Sequence, residues 1–296
     1  MAHDHAPTLP ATGRAFAIGI GLNLGFVAIE AWYGWRAGSL ALLADAAHNL
    51  GDVGGLVLAW GGLAAARLPP DERHTYGWRR GSILASFANA LLLLVAMGSL
   101  AWEAIGRIGT PSPLDGLTVM VVAAVGVVIN FATAWLFVSG REDLNIRGAF
   151  LHMVADGLVS VAVVVTGALA LWFGWDWLDP VASLGVAAVV VVGTWSLFRQ
   201  SLHLLFDGVP EGLVLTEIRA SLQGVPGVLQ VHHLHVWALA TSESALTAHL
   251  VLADGSDPDQ VLSQANHVLR HDHAIRHVTL QLESVRYAKA CAESAH

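Results

Sequence analysis

The sequence predicts a helical membrane protein with six transmembrane helices, followed by a small α+β domain. Three observations carry this. Of 296 residues, 55% are hydrophobic and only 13% charged, about half the charged share of an ordinary soluble domain. Six windows, about 15–35, 39–66, 82–106, 115–138, 148–173 and 178–205, meet the roughly 20 apolar residues that a helix needs to cross a bilayer core. After Phe206 the composition changes: 23 charged residues fall in 1–206, and 15 in the 90 that follow.

The elements follow in order. Residues 1–13 are a polar tail with no basic run before the first apolar stretch and no small-residue cleavage site after it. The first window is therefore expected to remain as a helix and not be cleaved as a signal peptide. RAGS and FGWDWLDP are short connections between hairpins, while RLPPDERHTYGWRR and SGREDLNIRG are longer polar loops. Arg14, Arg67, Arg73, Arg79, Arg80, Arg141, Arg147 and Arg199 fall on the side of the N-terminus, and Arg36 and Arg107 on the other. That bias puts both termini in the cytoplasm. Trp32, Trp35, Trp102, Trp172, Trp175 and Trp177 mark the opposite interface. The tail reads helix (211–223), strand (228–239), strand (244–253), helix (257–270) and strand (275–284), punctuated at Pro226–Gly227 and from Gly255 to Pro258. The expected domains are 14–206 in the membrane and 207–286 beyond it, with 287–296 as a tail.

The same composition excludes several classes of function. A net charge of −8 with a single lysine leaves no basic footprint for nucleic acid. One cysteine, Cys291, excludes a disulfide framework and a CxxC site. No phosphate-binding GxxxxGK[ST] loop and no HExxH pair occurs, so neither nucleotide nor an organic cofactor is expected.

Ionisable groups inside the spans are the informative positions, because each costs about 2.5–3.5 kcal/mol at a helix centre. They are Glu30, Asp45, His48, Asp52, Glu103, His152 and Asp156, and no Lys or Arg lies well inside to neutralise them. A proton, a bound cation, or both in alternation must do so. His48 and Asp52 are four apart in the second span, as are His152 and Asp156 in the fifth, and i,i+4 residues share a helix face. Two such faces packed together present two imidazoles and two carboxylates to one point, a donor set that suits tetrahedral Zn²⁺. With 15 histidines, chance gives fewer than one HxxxD match; there are three, the third being His203–Asp207 at the exit of the last span. The alternative for the two buried pairs is hydrogen bonding within their own helices.

Asp45, three before His48, is a neighbouring acceptor or an approach ligand, and Asn49 an adjacent packing or hydrogen-bonding group. Glu30 and Glu103 lie toward the outer ends of their spans and are expected to snorkel to the interface. Asn23, Asn89 and Asn130 suit interhelical hydrogen bonds. Eight histidines crowd residues 232–277; His232, His249 and Glu283 are placed to converge across the sheet as a second metal site. Asp71 and His74 in the loop between the second and third spans are a third candidate.

These features together resemble the cation diffusion facilitator family of the zinc/cadmium/cobalt type in bacteria. The strings that carry the resemblance are GSLALLADAAHNLGD, PPDERHTYGWRR, ASFANALLLL…WEA and VHHLHVWAL followed by LTAHLVL. It covers about residues 13–286. The resemblance implies a homodimeric antiporter in the bacterial inner membrane, moving Zn²⁺ out of the cytoplasm against protons, with Cd²⁺ and Co²⁺ as further candidates. It implies His48, Asp52, His152 and Asp156 as the transport site, and a ferredoxin-like cytoplasmic domain that dimerises. In that domain His232, His249 and His267 match ligand positions, and Glu283 stands where an Asp often does. The family's histidine-rich loop between the fourth and fifth spans is absent, so no metal delivery from there is expected. The competing classes are a membrane metal sensor and an intramembrane zinc hydrolase; the latter lacks a recognisable general base.

Overall fold

The computed structural model describes residues 12–66, 68–109, 113–137 and 144–288, the side chains of 12–20, 22, 23, 52, 55–66, 136, 137 and 144–152 excepted. Six long helices come first: α1 (Thr12–Ala37), α2 (Leu40–Ala66), α3 (Gly81–Ile108), α4 (Gly116–Phe137), α5 (Leu144–Phe173) and α6 (Leu178–Leu205). Among the described residues, α3, α6, residues 116–135 of α4 and 153–173 of α5 are long and apolar enough to cross a membrane. Leu92, Val128 and Val192 are exposed on them, as a lipid-facing surface requires. The chain divides into two compact units, residues 1–57 with 88–196, and residues 58–87 with 197–296.

In the first unit, Ala37, Ala41, Leu42, Val119, Val122, Ala123 and Val163 join α1, α2, α4 and α5 in one buried cluster. Ala44, Leu93, Met97, Val186, Ala187 and Val190 join α2, α3 and α6 in another. Small residues let the backbones touch, as membrane helices require where no hydrophobic force acts between them. A Cβ on Gly167 would sit 2.7 Å from the Met120 nitrogen and 2.9 Å from the Gly116 carbonyl oxygen, so α4 and α5 meet backbone to backbone.

The start of α2 is held by α6. Ser39 accepts from the Leu42 amide through Oγ at 3.2 Å and donates through it to Asp179 Oδ1 at 2.5 Å. The Leu40 amide donates to Asp179 Oδ2 at 2.7 Å. A carboxylate from a neighbouring helix thus satisfies amides that α2 leaves unpaired at its positive end.

In the second unit, α7 (Leu215–Gln223), β1 (Val228–Ala240), β2 (Glu243–Leu252), α8 (Pro258–His271) and β3 (His277–Ser284) form a small α+β domain. The sheet order is β1-β2-β3, β1 and β2 antiparallel, β2 and β3 parallel. Ile218 and Leu222 of α7, and Val261, Ala265 and Leu269 of α8, pack on Val231, Leu234, Val236, Leu246, Ala248 and Leu250. Both helices therefore cover one face, and the alternating strand positions look out on the other. Asp257 caps α8, accepting from the Asp259 amide, with Pro258 in the first turn. α7 begins at Leu215, not at 211, because Gly212 takes a left-handed φ of 84° that breaks the run. The loop before α3 belongs to this unit: Glu243 lies 2.8 Å from Arg79 and 3.1 Å from His277, and Arg80 pairs with Asp207.

Candidate metal sites

α2 and α5 bring two of the four expected ligands together inside the first unit, one from each His–Asp pair. His48 Nε2 lies 3.1 Å from Asp156 Oδ1, with the carboxylate side chain 3% exposed. Tetrahedral ligands at 2.0–2.1 Å from a zinc ion stand about 3.3 Å from one another, so this separation fits two ligands of one ion as well as a hydrogen bond. Helix period carries positions 52 and 152 onto the same faces of α2 and α5. The side chains of Asp52 and His152 lie outside the described residues.

A polar core surrounds the pair. Ser160, one turn after Asp156, donates to Asp45 Oδ2 at 3.0 Å, and Asn130 on α4 donates to Ser160 at 3.5 Å. Asn49 donates to Glu30 Oε2 at 3.4 Å. Asp45 is therefore an acceptor beside the site, bonded to α5, and Asn49 a tether between α2 and α1. Glu30 does not snorkel. It is fully buried, as is Asp45, because α1 turns this face inward against α2; Glu103 does reach out, pairing with Arg107. The Glu30 and Asp45 carboxyls are close neighbours, and among the described residues Glu30 Oε1 and Asp45 Oδ1 meet no donor. Two carboxylates only accept, so the pair calls for a shared proton or a cation. Hydropathy gave the depth of Glu30 along its span but not its face.

The second unit holds a convergent cluster. Antiparallel pairing sets His232 opposite His249, and Glu283 lies on β3 beside Val251. All three leave the sheet on the face without helices. His232 Nε2 is 2.9 Å from Glu283 Oε2, and His249 Nδ1 is 2.7 Å from Glu283 Oε1. Ligand atoms of the three lie within 4.8 Å of one another. Burial pushes the Glu283 carboxyl up, but hydrogen bonds from His232 and Gln281 and the charge of both imidazoles hold it below the ordinary glutamate range.

His267 is not part of this cluster. It sits on α8, its ring 4.3 Å from that of His271, lining a groove with Ser221 and Gly224 of the α7 end. The apolar stripe of α8 docks on the opposite sheet face, which carries His267 away from His232. Asp71 and His74 do meet, Nδ1 to Oδ1 at 3.2 Å, but within a turn: Asp71 Oδ1 accepts from the Arg73 and His74 amides at 2.8 and 2.6 Å. Those hydrogen bonds lower the Asp71 carboxyl below its usual range, and they describe a local cap in an exposed loop.

Comparison with known proteins matches this architecture end to end. The family model for the cation efflux transmembrane domain covers residues 16–206, and that for the cation efflux protein cytoplasmic domain covers 210–285. The chain belongs to the cation diffusion facilitator family. It is a multi-pass membrane transporter of cations, not an enzyme. It is 37% identical over 291 residues to the zinc transporter ZitB of Escherichia coli, spanning 96% of this chain and 93% of that one. It is 33% identical over 290 residues to a cadmium, cobalt and zinc/H(+)-K(+) antiporter of Bacillus subtilis, spanning 96% and 92%. The metal-bound C-terminal domain of the CzcD transporter from Cupriavidus metallidurans shares 35% identity, covering 24% of this chain and 99% of that one at a TM-score of 0.23.

Proposed function

We propose that this facilitator exports Zn²⁺ from the cytoplasm in exchange for protons, through His48 and Asp52 of α2 and His152 and Asp156 of α5. The observation that carries the reading is the approach of His48 to Asp156 across two helices, in a core to which the sequence contributes no Lys or Arg. Unneutralised carboxylates at membrane depth mark an ion pathway, and a mixed imidazole–carboxylate set favours zinc-type ions over Mg²⁺ or Ca²⁺. The names of the relatives, a zinc transporter and a cadmium, cobalt and zinc antiporter, support the same cargo, with Cd²⁺ and Co²⁺ beside Zn²⁺. The chain sits in a bacterial inner membrane with both termini inside, as the arginine bias requires, and works as a homodimer through residues 207–286.

The chemistry follows from linkage. Imidazole and carboxylate must be free of protons to ligate a metal, so a site open to the cytoplasm captures the ion as it deprotonates. Rocking the helices opens the site outward, where protons compete for imidazoles, the side chains that ionise nearest neutral pH. The ion leaves and protons return. Glu30 and Asp45, adjoining the site with no Lys or Arg bonded to them among the described residues, suit such an exchange. In inverted membrane vesicles, His152→Ala should abolish zinc uptake driven by a proton gradient; undiminished uptake would refute the assignment. A sensor that moves nothing is the second reading, favoured by the His232–His249–Glu283 cluster. Removing residues 207–296 separates the two, since a transporter keeps some flux.

A further inference from the structure

The helix-free face of the cytoplasmic sheet holds one more imidazole than the three-ligand cluster uses. β1 and β2 slip register between His232 and His235. His233 occupies that slip with a φ of 45°, a left-handed conformation uncommon for a residue with a side chain and concentrated at functional sites. In an unbroken strand His233 would point into the core beside the helices. The bulge instead keeps Val231 and Leu234 both in the core and swings the extra residue outward, a known use of such irregularities. The His233 ring ends 5.1 Å from that of His232 and 5.0 Å from that of His249, while His235 lies 6.4 Å from His233.

The cluster is itself one ligand short. Zinc held for structural or regulatory purposes takes four protein ligands in a closed tetrahedron, and His232, His249 and Glu283 supply three. Moreover, His249 Nδ1 is enclosed and makes no hydrogen bond among the described residues, although Glu283 Oε1 is only 2.7 Å away. At that distance the lack of a hydrogen bond means that the two atoms are not aligned as donor and acceptor. We propose that His233 is the fourth ligand, closing a three-imidazole, one-carboxylate site for a zinc-type ion on the cytoplasmic domain. The proposal rests on reading the other three residues as a metal cluster. The three imidazole rings are already neighbours, each within 5.1 Å of the others. A closed site retains its ion, in contrast to a transport site that must release it, so this ion pins β1 to β2 and β3 and is not cargo.

The test uses the full-length protein carrying His48→Ala, which removes a ligand of the membrane site. Zinc affinity is read by chelator competition, and coordination from the visible bands of bound Co²⁺. His233→Gly keeps the left-handed backbone open to glycine and removes only the ring. It should weaken zinc binding at least about tenfold, no less than loss of a group that merely supports a ligand. It should also replace the intense bands of four-coordinate Co²⁺ with the weak bands of a site that has admitted water. His235→Ala should change neither. Unchanged affinity and spectrum in His233→Gly would overturn the fourth ligand while leaving the cluster standing. If His249→Ala also removes no bound metal, the cluster reading falls, and this proposal with it.

Discussion

The clasp between α6 and α2 supports the helix that carries His48, and its strength can be worked out from the structure. Asp179 receives the Ser39 hydroxyl at 2.5 Å and the Leu40 amide at 2.7 Å, with Ala41 more distant at 3.4 Å. Hydrogen bonds to a charged group contribute about 1.5–3 kcal/mol each, so Asp179→Ala should destabilise the fold by about 3–6 kcal/mol. It also leaves the amide of Leu40, a residue 1% exposed, without its partner. Asp179→Asn keeps one acceptor and turns an amide group on the other donor, for about half that loss. Unfolding of the purified protein followed by tryptophan emission measures the effect. Asp115 serves as the comparison, since its bonds to Thr118 at 2.6 and 3.2 Å cap α4 in the open and its removal should not exceed the value of an ordinary cap, about 1 kcal/mol. If Asp179→Ala is no worse than Asp115→Ala, the clasp is not what holds α2, and the reasoning fails.

Other outcomes follow from the same geometry. Gly167→Val forces a Cβ against backbone atoms of Gly116 and Met120 that cannot yield. It should lower stability by about 1–3 kcal/mol or more, whereas Gly185→Ala, with nothing within 4 Å, should have little effect on a thermal melt. Glu283 is held below the ordinary glutamate range, so it contributes stability at neutral pH that is lost as pH falls from about 4.3, the unfolded value, through its lower folded value. Melting of the metal-free protein should therefore fall more steeply with acid in the parent than in Glu283→Gln; parallel curves would contradict this.

What the sequence disclosed depended on whether period alone decides the outcome. Helix length and hydropathy were enough to place all six long helices, and the i,i+4 spacing predicts one face for each His–Asp pair, of which His48 and Asp156 are described and meet. Strand alternation likewise pointed His232 and His249 the same way. Glu30 escaped because a span that is apolar all round does not reveal which face meets its neighbours; only packing on α2 does. His233 escaped because its direction comes from a bulge, which breaks the alternation that strand reading assumes; the HHLH string, too many polar residues for a strand of period two, was the available signal. His267 was drawn in by resemblance, and the docking of α8 on the far side of the sheet separates it.

The most direct test is X-ray absorption at the zinc edge of the full-length protein carrying His249→Ala and Glu283→Ala, so that the cytoplasmic cluster is silent. The retained ion should show four nitrogen and oxygen ligands at about 2.0–2.2 Å, with the outer-shell scattering of two imidazoles, and His48→Ala should remove one of them. A six-coordinate oxygen shell, or a spectrum that His48→Ala leaves unaltered, would contradict a site built from α2 and α5.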